Sequence, residues 1–316
     1  MTMRAILVAI AAFAVLGAQA EYPEKPIHLV VPFAAGGGAD ALARAVGGGM
    51  SVYLRQTVLI DNRPGGDSTI GSEYVAHAAP DGYTILLASN TGMSGAPALH
   101  KHLGYDPIRD FTPISMVGMF PYFLVVNRDL PVKSLHELVE YARAHPGQLN
   151  YASGNAMGII ATGQLAAAQK LRMTHVPYKG EAPAMPDLLS NRVQMLFTTG
   201  FILPYVQDGR VRAVAAALDE RSDALPDVPT VAEAGFPEIS VRGWAAICAP
   251  AGLPGDVTVK LAAAVNEALR MPQVKALLAT QGFPGRGSTP GELAQFMKEQ
   301  LGSWAAATRA AGIQPE

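Results

Sequence analysis

Short runs of β-branched and apolar residues alternate with helical patterns along most of the chain, and this alternation constrains the fold more than any other feature. IHLVV at residues 27–31, TVLID at 57–61 and LNYAS at 149–153 have the composition of buried strands, and each precedes a segment with helical spacing. Strands that alternate with helices form parallel sheets covered by helices. We therefore expect an α/β protein whose C-terminal part, after residue 250, is mostly helical.

The length and composition indicate two domains. A chain of 316 residues can bury two separate hydrophobic cores. No internal repeat and no low-complexity linker divides it, so the junctions should lie inside structured segments, near residues 120 and 246. The net charge of −2 argues against nucleic acid as a partner. Cys248 is the single cysteine, so an intrachain disulfide bond is excluded.

The first twenty residues have the pattern of a secretory signal peptide. MTMR gives a positive start, AILVAIAAFAVLG an apolar core, and AQA a cleavage signature of small residues. The apolar core is too short for a comfortable membrane span. We expect cleavage near Ala20, a mature chain that begins near Glu21, and export of that chain.

The stretch IHLVVPFAAGGGADALARAV predicts a site for an anion. A strand runs into Gly36, Gly37 and Gly38, and a helix follows directly. Glycines leave the backbone N–H groups accessible, and the positive end of the helix favours a carboxylate. Asp40, in the first turn of that helix, is expected to cap it rather than to contact an anion.

The same loop permits a second interpretation. Gly36, Gly38 and Ala41 fit the pattern G-x-G-x-x-G/A, and Asp61 follows about twenty residues later, as in an NAD-dependent dehydrogenase. PFAA separates the strand from the first glycine, whereas the dinucleotide pattern turns at once. Export would also remove the chain from the usual pool of nicotinamide cofactors. The dehydrogenase stays an alternative.

A second strand–turn–helix segment has a similar arrangement, and other chemistry is sparse. YASGNAMG, at residues 151–158, places a Ser-Gly-Asn turn before a helix. His100 and His102 form an H-x-H pair without further ligands at metal-binding spacing. No nucleophile stands in sequence with a base beside it. We expect no metal, no cofactor and no catalytic residue.

A series of motifs in order along residues 22–316 resembles the Bug family of periplasmic solute receptors, the binding components of tripartite tricarboxylate transporters. Its markers include YPEKPIHLVVPFAAGGGAD, LIDNRPGGDSTIGSEYVAHAAPDGYTILLAS, LGYDPIRDFTPISMV, HVPYKGEAPAMPDLLSNRVQMLF and ALPDVPTVAEAG. The resemblance implies a two-lobed α/β binding protein, each lobe a mainly parallel sheet flanked by helices, with the ligand in the cleft between them. Lobe 1 would comprise residues 21–120 plus 247–316, and lobe 2 residues 121–246.

The resemblance also implies which residues contact the ligand. Family members hold a ligand carboxylate between one loop from each lobe, largely through backbone N–H groups and water. Transferred to this chain, with aromatic and crossover positions added, the expected ligand-binding residues are Phe33, Ala34, Ala35, Gly36, Gly37, Gly38, Asp40, Ser89, Asn90, Thr91, Ser153, Gly154, Asn155, Ala156, Tyr178, Thr198, Thr199 and Trp244.

This chain departs from the family pattern at two points. The second loop appears one residue shorter and more apolar, so Ala156 to Ile160 are expected to form an apolar wall of the pocket. Thr198 and Thr199 stand where many members carry an Asp-Asn pair that can meet an ammonium group. Hydroxyl groups do not pair with a cation as a carboxylate does. The expected ligand is therefore an aromatic or short aliphatic organic acid without an amino group.

The expected function is that of a monomeric periplasmic receptor without catalytic activity. It would capture a small carboxylate and deliver it to the membrane permease subunits of a tripartite tricarboxylate transporter. Signalling through a sensor kinase of a two-component system is a further alternative, because family members can act without a dedicated permease.

Overall fold

The structure is a computed structural model that describes residues 22–316. The expected export signal and its cleavage site lie outside these residues. Ten strands form two five-stranded sheets. Their bounds are β1 Ile27–Val31, β2 Val58–Asn62, β3 Thr84–Ser89, β4 Phe111–Phe120, β5 Phe123–Asn127, β6 Asn150–Ser153, β7 Thr174–Pro177, β8 Met195–Thr198, β9 Val211–Ala216 and β10 Gly243–Pro250.

The two sheets have the same plan. The first has the order β2-β1-β3-β10-β4 and the second β7-β6-β8-β5-β9. In each sheet all strands but one run in the same direction, and the reversed strands are β10 and β5. Each reversed strand is the one by which the chain enters its sheet after crossing from the other. The expected two-lobed α/β fold is thus confirmed, with sheets that are mixed because of these two strands.

The helices cover the faces of the sheets. Their bounds are α1 Gly38–Leu54, α2 Thr69–Ala76, α3 Ala96–Leu99, α4 Leu135–Ala144, α5 Ala156–Gln169, α6 Glu181–Leu189, α7 Leu203–Gln207, α8 Gly255–Arg270, α9 Pro272–Ala279 and α10 Pro290–Ala310. A π-helical turn at Thr91–Gly95 follows β3, and a 3-10 turn at Gly200–Ile202 follows β8. Among residues 22–316, no helix has the length and apolar character needed to cross a membrane.

Local sequence explains why these helices form where they do. Ser134 caps α4, where its side chain accepts a hydrogen bond from the backbone N–H of Glu137. Thr289 and Glu292 form a reciprocal capping box at the start of α10. In α1 the buried side chains of Leu42, Val46 and Met50 recur every four residues and so lie on one face.

The longest helix connects the two halves of the molecule. Trp304 of α10 is buried in the same apolar cluster as Ile160 of α5 and Leu29 of β1. The connection from β9 back to the first sheet ends at Gly243, which pairs with Phe120, and all of β10 lies in the first sheet. Sheet membership therefore changes at Gly243, a few residues before the expected boundary at 246. The assignment of whole segments to lobes stays a prediction.

Candidate functional site

The glycine loop between β1 and α1 is held in place by Asp40. The Oδ2 atom of Asp40 accepts hydrogen bonds from the backbone N–H of Gly36 and from Arg44 Nε, both at 3.0 Å. Its Oδ1 atom accepts a hydrogen bond from Asn62 Nδ2 at 3.1 Å, and the same Nδ2 also donates to the carbonyl of Phe33. Gly36 has a φ of 87°, a conformation that favours glycine. Asp40 therefore fixes the loop that precedes α1, whereas the expected cap would have bonded an N–H group of the helix itself.

The glycines of this loop also allow the second half of the molecule to approach closely. The backbone N–H of Ala34 donates to the carbonyl of Lys179 at 3.3 Å. A Cβ atom at Gly38 would overlap the hydroxyl of Thr199 and lie 3.0 Å from its Cβ, whereas one at Gly37 would lie 3.8 Å from its nearest neighbour, the nitrogen of Ala182. Gly38 is thus needed for the close approach, and Gly37 is not.

A small enclosed cavity lies between the two halves at this point. Its volume is about 20 Å³, measured as the space open to the centre of a water molecule, which is room for roughly one water. The expected residues that line it are Phe33, Ala34, Gly37, Gly38, Ser89, Asn90, Asn155 and Thr199. Sequence reasoning missed four further lining residues, which are Ala39, Phe120, Tyr122 and Glu181.

The wall formed by the end of β3 contains donors without partners. The Oδ1 atom of Asn90 accepts a hydrogen bond from the backbone N–H of Trp244 at 3.1 Å, which fixes the amide. Its Nδ2 atom is buried and has no hydrogen-bond partner among the described residues, and the same is true of the hydroxyl of Ser89. Buried polar atoms are rarely left unpaired unless a site accommodates something polar beside them. This wall is therefore suited to a polar ligand.

The second expected loop forms as predicted, and its turn reaches the cavity. Asn155 caps α5, with its Oδ1 atom accepting from the backbone N–H of Gly158 at 3.0 Å. Its Nδ2 atom donates to Glu181 Oε1 at 2.7 Å. Gly154 packs against the backbone of Gly180 so closely that a side chain would overlap it. Asn155 thus orders the turn and connects it to the start of α6.

Glu181 is the ionisable residue that sequence reasoning missed. Its side chain is only 7% exposed, and its carboxyl accepts hydrogen bonds from Asn155 Nδ2, from the backbone N–H of Thr199 and from Thr199 Oγ1 at 2.6 Å. Burial raises the pKa of Glu181 to about 7, although the hydrogen bonds from Thr199 and Asn155 oppose that rise. The sequence signal that could have identified Glu181 is an acidic residue directly after Gly180. There a third strand–turn–helix segment, from β7 to α6, brings the start of a helix to the cavity.

Glu181 also corrects the reasoning about Thr198 and Thr199. That reasoning assumed that no carboxyl group stands at this point of the cleft. The structure places the carboxyl of Glu181 directly on the backbone and hydroxyl of Thr199. The assumption that no carboxyl group lies beside Thr198 and Thr199 is therefore wrong. Long-range packing brings Glu181, from a different part of the sequence, onto Thr199.

The remaining expected site residues do not line the cavity. Trp244 is fully buried in β10 of the first sheet, edge-to-face with Phe296, and is connected to the site by the hydrogen bond from its backbone N–H to Asn90. The side chain of Tyr178 is directed to Asp187, to which its hydroxyl donates at 2.7 Å. The other expected residues that do not line it are Ala35, Gly36, Asp40, Thr91, Ser153, Gly154, Ala156 and Thr198.

The prediction that residues 156–160 form an apolar wall of the pocket is wrong. Ala156, Met157 and Ile160 are completely buried in the main apolar cluster, where Gly95 packs on Ala156. They face the core because α5 packs against α10 and the π-helical turn. The turn presents Asn155 to the cavity instead, so this side of the cavity is polar.

The observed geometry does not favour the dehydrogenase alternative. Asp61, the expected ribose acid of the dehydrogenase alternative, forms an ion pair with Arg63 at 2.8 Å and does not line the cavity. Within residues 22–316, no group of three or more His, Cys, Asp or Glu side chains could hold a metal ion. Two lobes that meet at a small cavity, beside the N-terminus of a long helix, define a binding protein of the two-lobed α/β class.

Comparison with known proteins identifies the family. Residues 42–313 match the tripartite tricarboxylate transporter family receptor, so the chain belongs to this family of periplasmic solute-binding receptors, which are not enzymes. Protein BugT of Bordetella pertussis is 34% identical over 300 residues, which covers 93% of this chain and 91% of that protein. The resemblance to the Bug family is thereby confirmed.

Two solved structures with bound acids have the same fold. A Rhodopseudomonas palustris protein with adipate is 31% identical with a TM-score of 0.90, covering 94% of this chain and 100% of that one. MatC from Rhodopseudomonas palustris with bound malate is 32% identical with a TM-score of 0.85, covering 90% of this chain and 99% of that one.

Proposed function

We propose that this protein binds a small carboxylate in the cleft between its two lobes. The observation that carries the proposal is the cavity where the start of α1, at Gly38 and Ala39, meets the unpartnered Nδ2 donor of Asn90. The first N–H groups of a helix have no partner within the helix, and its dipole favours an anion there. The adipate and malate bound to two relatives are carboxylates of a suitable class.

The carboxylate would be held without a cationic side chain. No lysine, arginine or histidine is among the residues that line the cavity. Backbone N–H groups of α1 and the amide of Asn90 would supply the hydrogen bonds, while Phe33 and Phe120 exclude water from one side. The other expected contacts, such as Ser89 and Thr199, complete the proposed site.

Calorimetry on the mature chain from Glu21 onward tests this proposal. The panel contains adipate, malate, succinate and benzoate, with NAD as the competing class of ligand. We expect at least one acid to bind with micromolar or tighter affinity, equivalent to about −8 kcal/mol, without being consumed. Binding of NAD together with no binding of any acid would contradict the proposal and favour the dehydrogenase.

We also propose that the first twenty residues direct export to the periplasm and that the monomeric protein delivers its ligand to membrane permease subunits. N-terminal sequencing of the protein from a periplasmic extract should begin near Glu21. Deletion of the gene that encodes this protein should abolish uptake of the bound acid into cells. A loss of ligand-induced gene expression with unchanged uptake would favour the sensor alternative.

A further inference from the structure

The carboxyl of Glu181 is in an unusual position for a receptor of anions. It lines the cavity, and both of its oxygen atoms are bonded to neutral donors, namely Asn155 Nδ2, the backbone N–H of Thr199 and Thr199 Oγ1. A ligand carboxylate in the same cavity would be a second negative charge close to the first. Two carboxylates in a site shielded from water cannot both stay ionised without a large cost.

The surrounding groups do not neutralise Glu181. Of the residues that line the cavity, only Glu181 and Tyr122 are ionisable, so α5 and the strands β5, β6 and β8 contribute no charge there. Burial and the charge of Glu181 hold the pKa of Tyr122 well above its ordinary value, which keeps this phenol neutral. Lys179, two residues before Glu181, is exposed.

Three titratable groups farther from the cavity have hydrogen-bond partners of their own. Asp40 in α1 is bonded to Arg44, and Asp187 in α6 is bonded to Tyr178 and Arg192. His175 in β7 bonds the hydroxyl of Ser153 at 2.5 Å, and burial lowers the pKa of its imidazole. None of these side chains is bonded to the carboxyl of Glu181.

The bonds around Glu181 suit both of its protonation states. When the carboxyl is ionised, Thr199 Oγ1 donates its proton to Oε2. When Oε2 carries a proton, it can donate to Thr199 Oγ1 instead, because a hydroxyl group both donates and accepts. Oε1 continues to accept from Asn155 and from the backbone N–H of Thr199 in either state. The hydroxyl proton of Thr199 is then free to donate to a ligand in the cavity.

We propose that Glu181 is the specificity-determining residue of the cleft and couples carboxylate binding to the uptake of one proton. The inference rests on the proposed function. The proton comes from water and forms the Oε2–H bond of Glu181, while the ligand keeps its negative charge. Thr199 thereby changes from a donor to Glu181 into a donor to the ligand.

The electrostatics of the site support this coupling. Burial already places the pKa of Glu181 near 7 without a second anion, and a nearby carboxylate raises it further. The receptor then binds an acid best when Glu181 is neutral. Above a pH of about 7, the affinity for an acid should fall about tenfold for each pH unit, because one proton must be taken up for each ligand bound.

The experiment measures the affinity of the full mature chain for adipate and malate by calorimetry from pH 6 to pH 9. For the wild-type protein we expect a roughly tenfold loss from pH 6 to pH 8. We expect the uptake of close to one proton at pH 8, determined from the heats in two buffers with different ionisation enthalpies. Glu181→Gln mimics the neutral carboxyl, with an amide that can donate to Thr199, so it should bind acids as tightly at pH 8 as at pH 6. His175→Gln should retain the pH dependence.

Three results are opposed to the inference and separate it from the proposed function. If acids bind the wild-type protein with a pH-independent affinity, the proton coupling is wrong and the proposed function stands. If aspartate binds more tightly than malate and loses that advantage in Glu181→Gln, the residue is instead an ionised partner for an ammonium group. If no acid binds either protein at any pH, the proposed function itself fails and the coupling fails with it.

Discussion

Replacing Gly38 with alanine tests whether the glycine loop serves closure of the cleft. The added Cβ would overlap the hydroxyl of Thr199, lie 3.0 Å from its Cβ and lie 3.3 Å from Oε1 of Gln281. Forcing an extra carbon into a packed contact typically costs about 1–3 kcal/mol. Thr199 belongs to the other half of the molecule, so its overlap with the added Cβ would end if the two halves separated, and we expect most of this cost to appear in binding rather than in folding. We expect a loss of affinity of roughly 5- to 150-fold for an acid.

The chain offers a matched control one residue away. At Gly37 the added Cβ would be 3.8 Å from its nearest neighbour, which is ordinary contact. The φ of Gly37 is −91°, so alanine fits the backbone there. Gly37→Ala should therefore bind acids within about threefold of the wild-type protein, well under the cost of a clash.

Calorimetry with the tightest acid of the panel and denaturant unfolding of both ligand-free variants provide the readouts. Unfolding of Gly38→Ala should be unchanged or slightly more costly, since alanine favours the helix that starts at this residue. Equal affinities for Gly38→Ala and the wild-type protein would refute the role in closure. Equal losses of affinity in both variants would show that the loop is sensitive to any added side chain, which would also refute the role of Gly38 in closure.

Two further substitutions test other parts of the site. The pKa of Glu181 is raised from 4.5 to about 7 in the folded protein. Between pH 4.5 and pH 7 the folded state therefore binds more protons than the unfolded state. The free energy of unfolding should fall by about 3 kcal/mol in total as the pH rises through this range. Glu181→Gln should remove that slope in urea titrations of the ligand-free protein between pH 5 and pH 8, and an unchanged slope would show that another group causes it. Asn90→Asp keeps an acceptor for the backbone N–H of Trp244 but replaces the unpartnered donor with a charged oxygen. We expect its affinity for acids to fall at least tenfold, about 1.4 kcal/mol, in calorimetry at pH 6, and undiminished binding would exclude Asn90 as a ligand donor.

Sequence patterns predicted the features that depend on neighbouring residues. The two strand–turn–helix loops follow from glycine and asparagine placed between an apolar run and a helical pattern. Such features form from contacts within a few residues, which a linear pattern records.

The features that sequence patterns missed depend on packing between distant segments. Gly37 and Gly38 are equivalent in a linear pattern, and only the position of Thr199 across the cleft distinguishes them. The same long-range packing brings Glu181 onto Thr199 and buries Trp244 behind Asn90. It also turns Ile160 toward the core, where α10 and α5 meet.

A crystal structure of the mature protein with the tightest acid of the panel tests the central claim most directly. We expect a ligand carboxylate at hydrogen-bond distance, about 2.7–3.2 Å, from the first backbone N–H groups of α1 and from Nδ2 of Asn90. The acid should be enclosed between the two lobes, beside Thr199 and Glu181. An acid held at the surface by lysine or arginine side chains, with the glycine loop and Asn90 not in contact with it, would contradict carboxylate binding in the cleft.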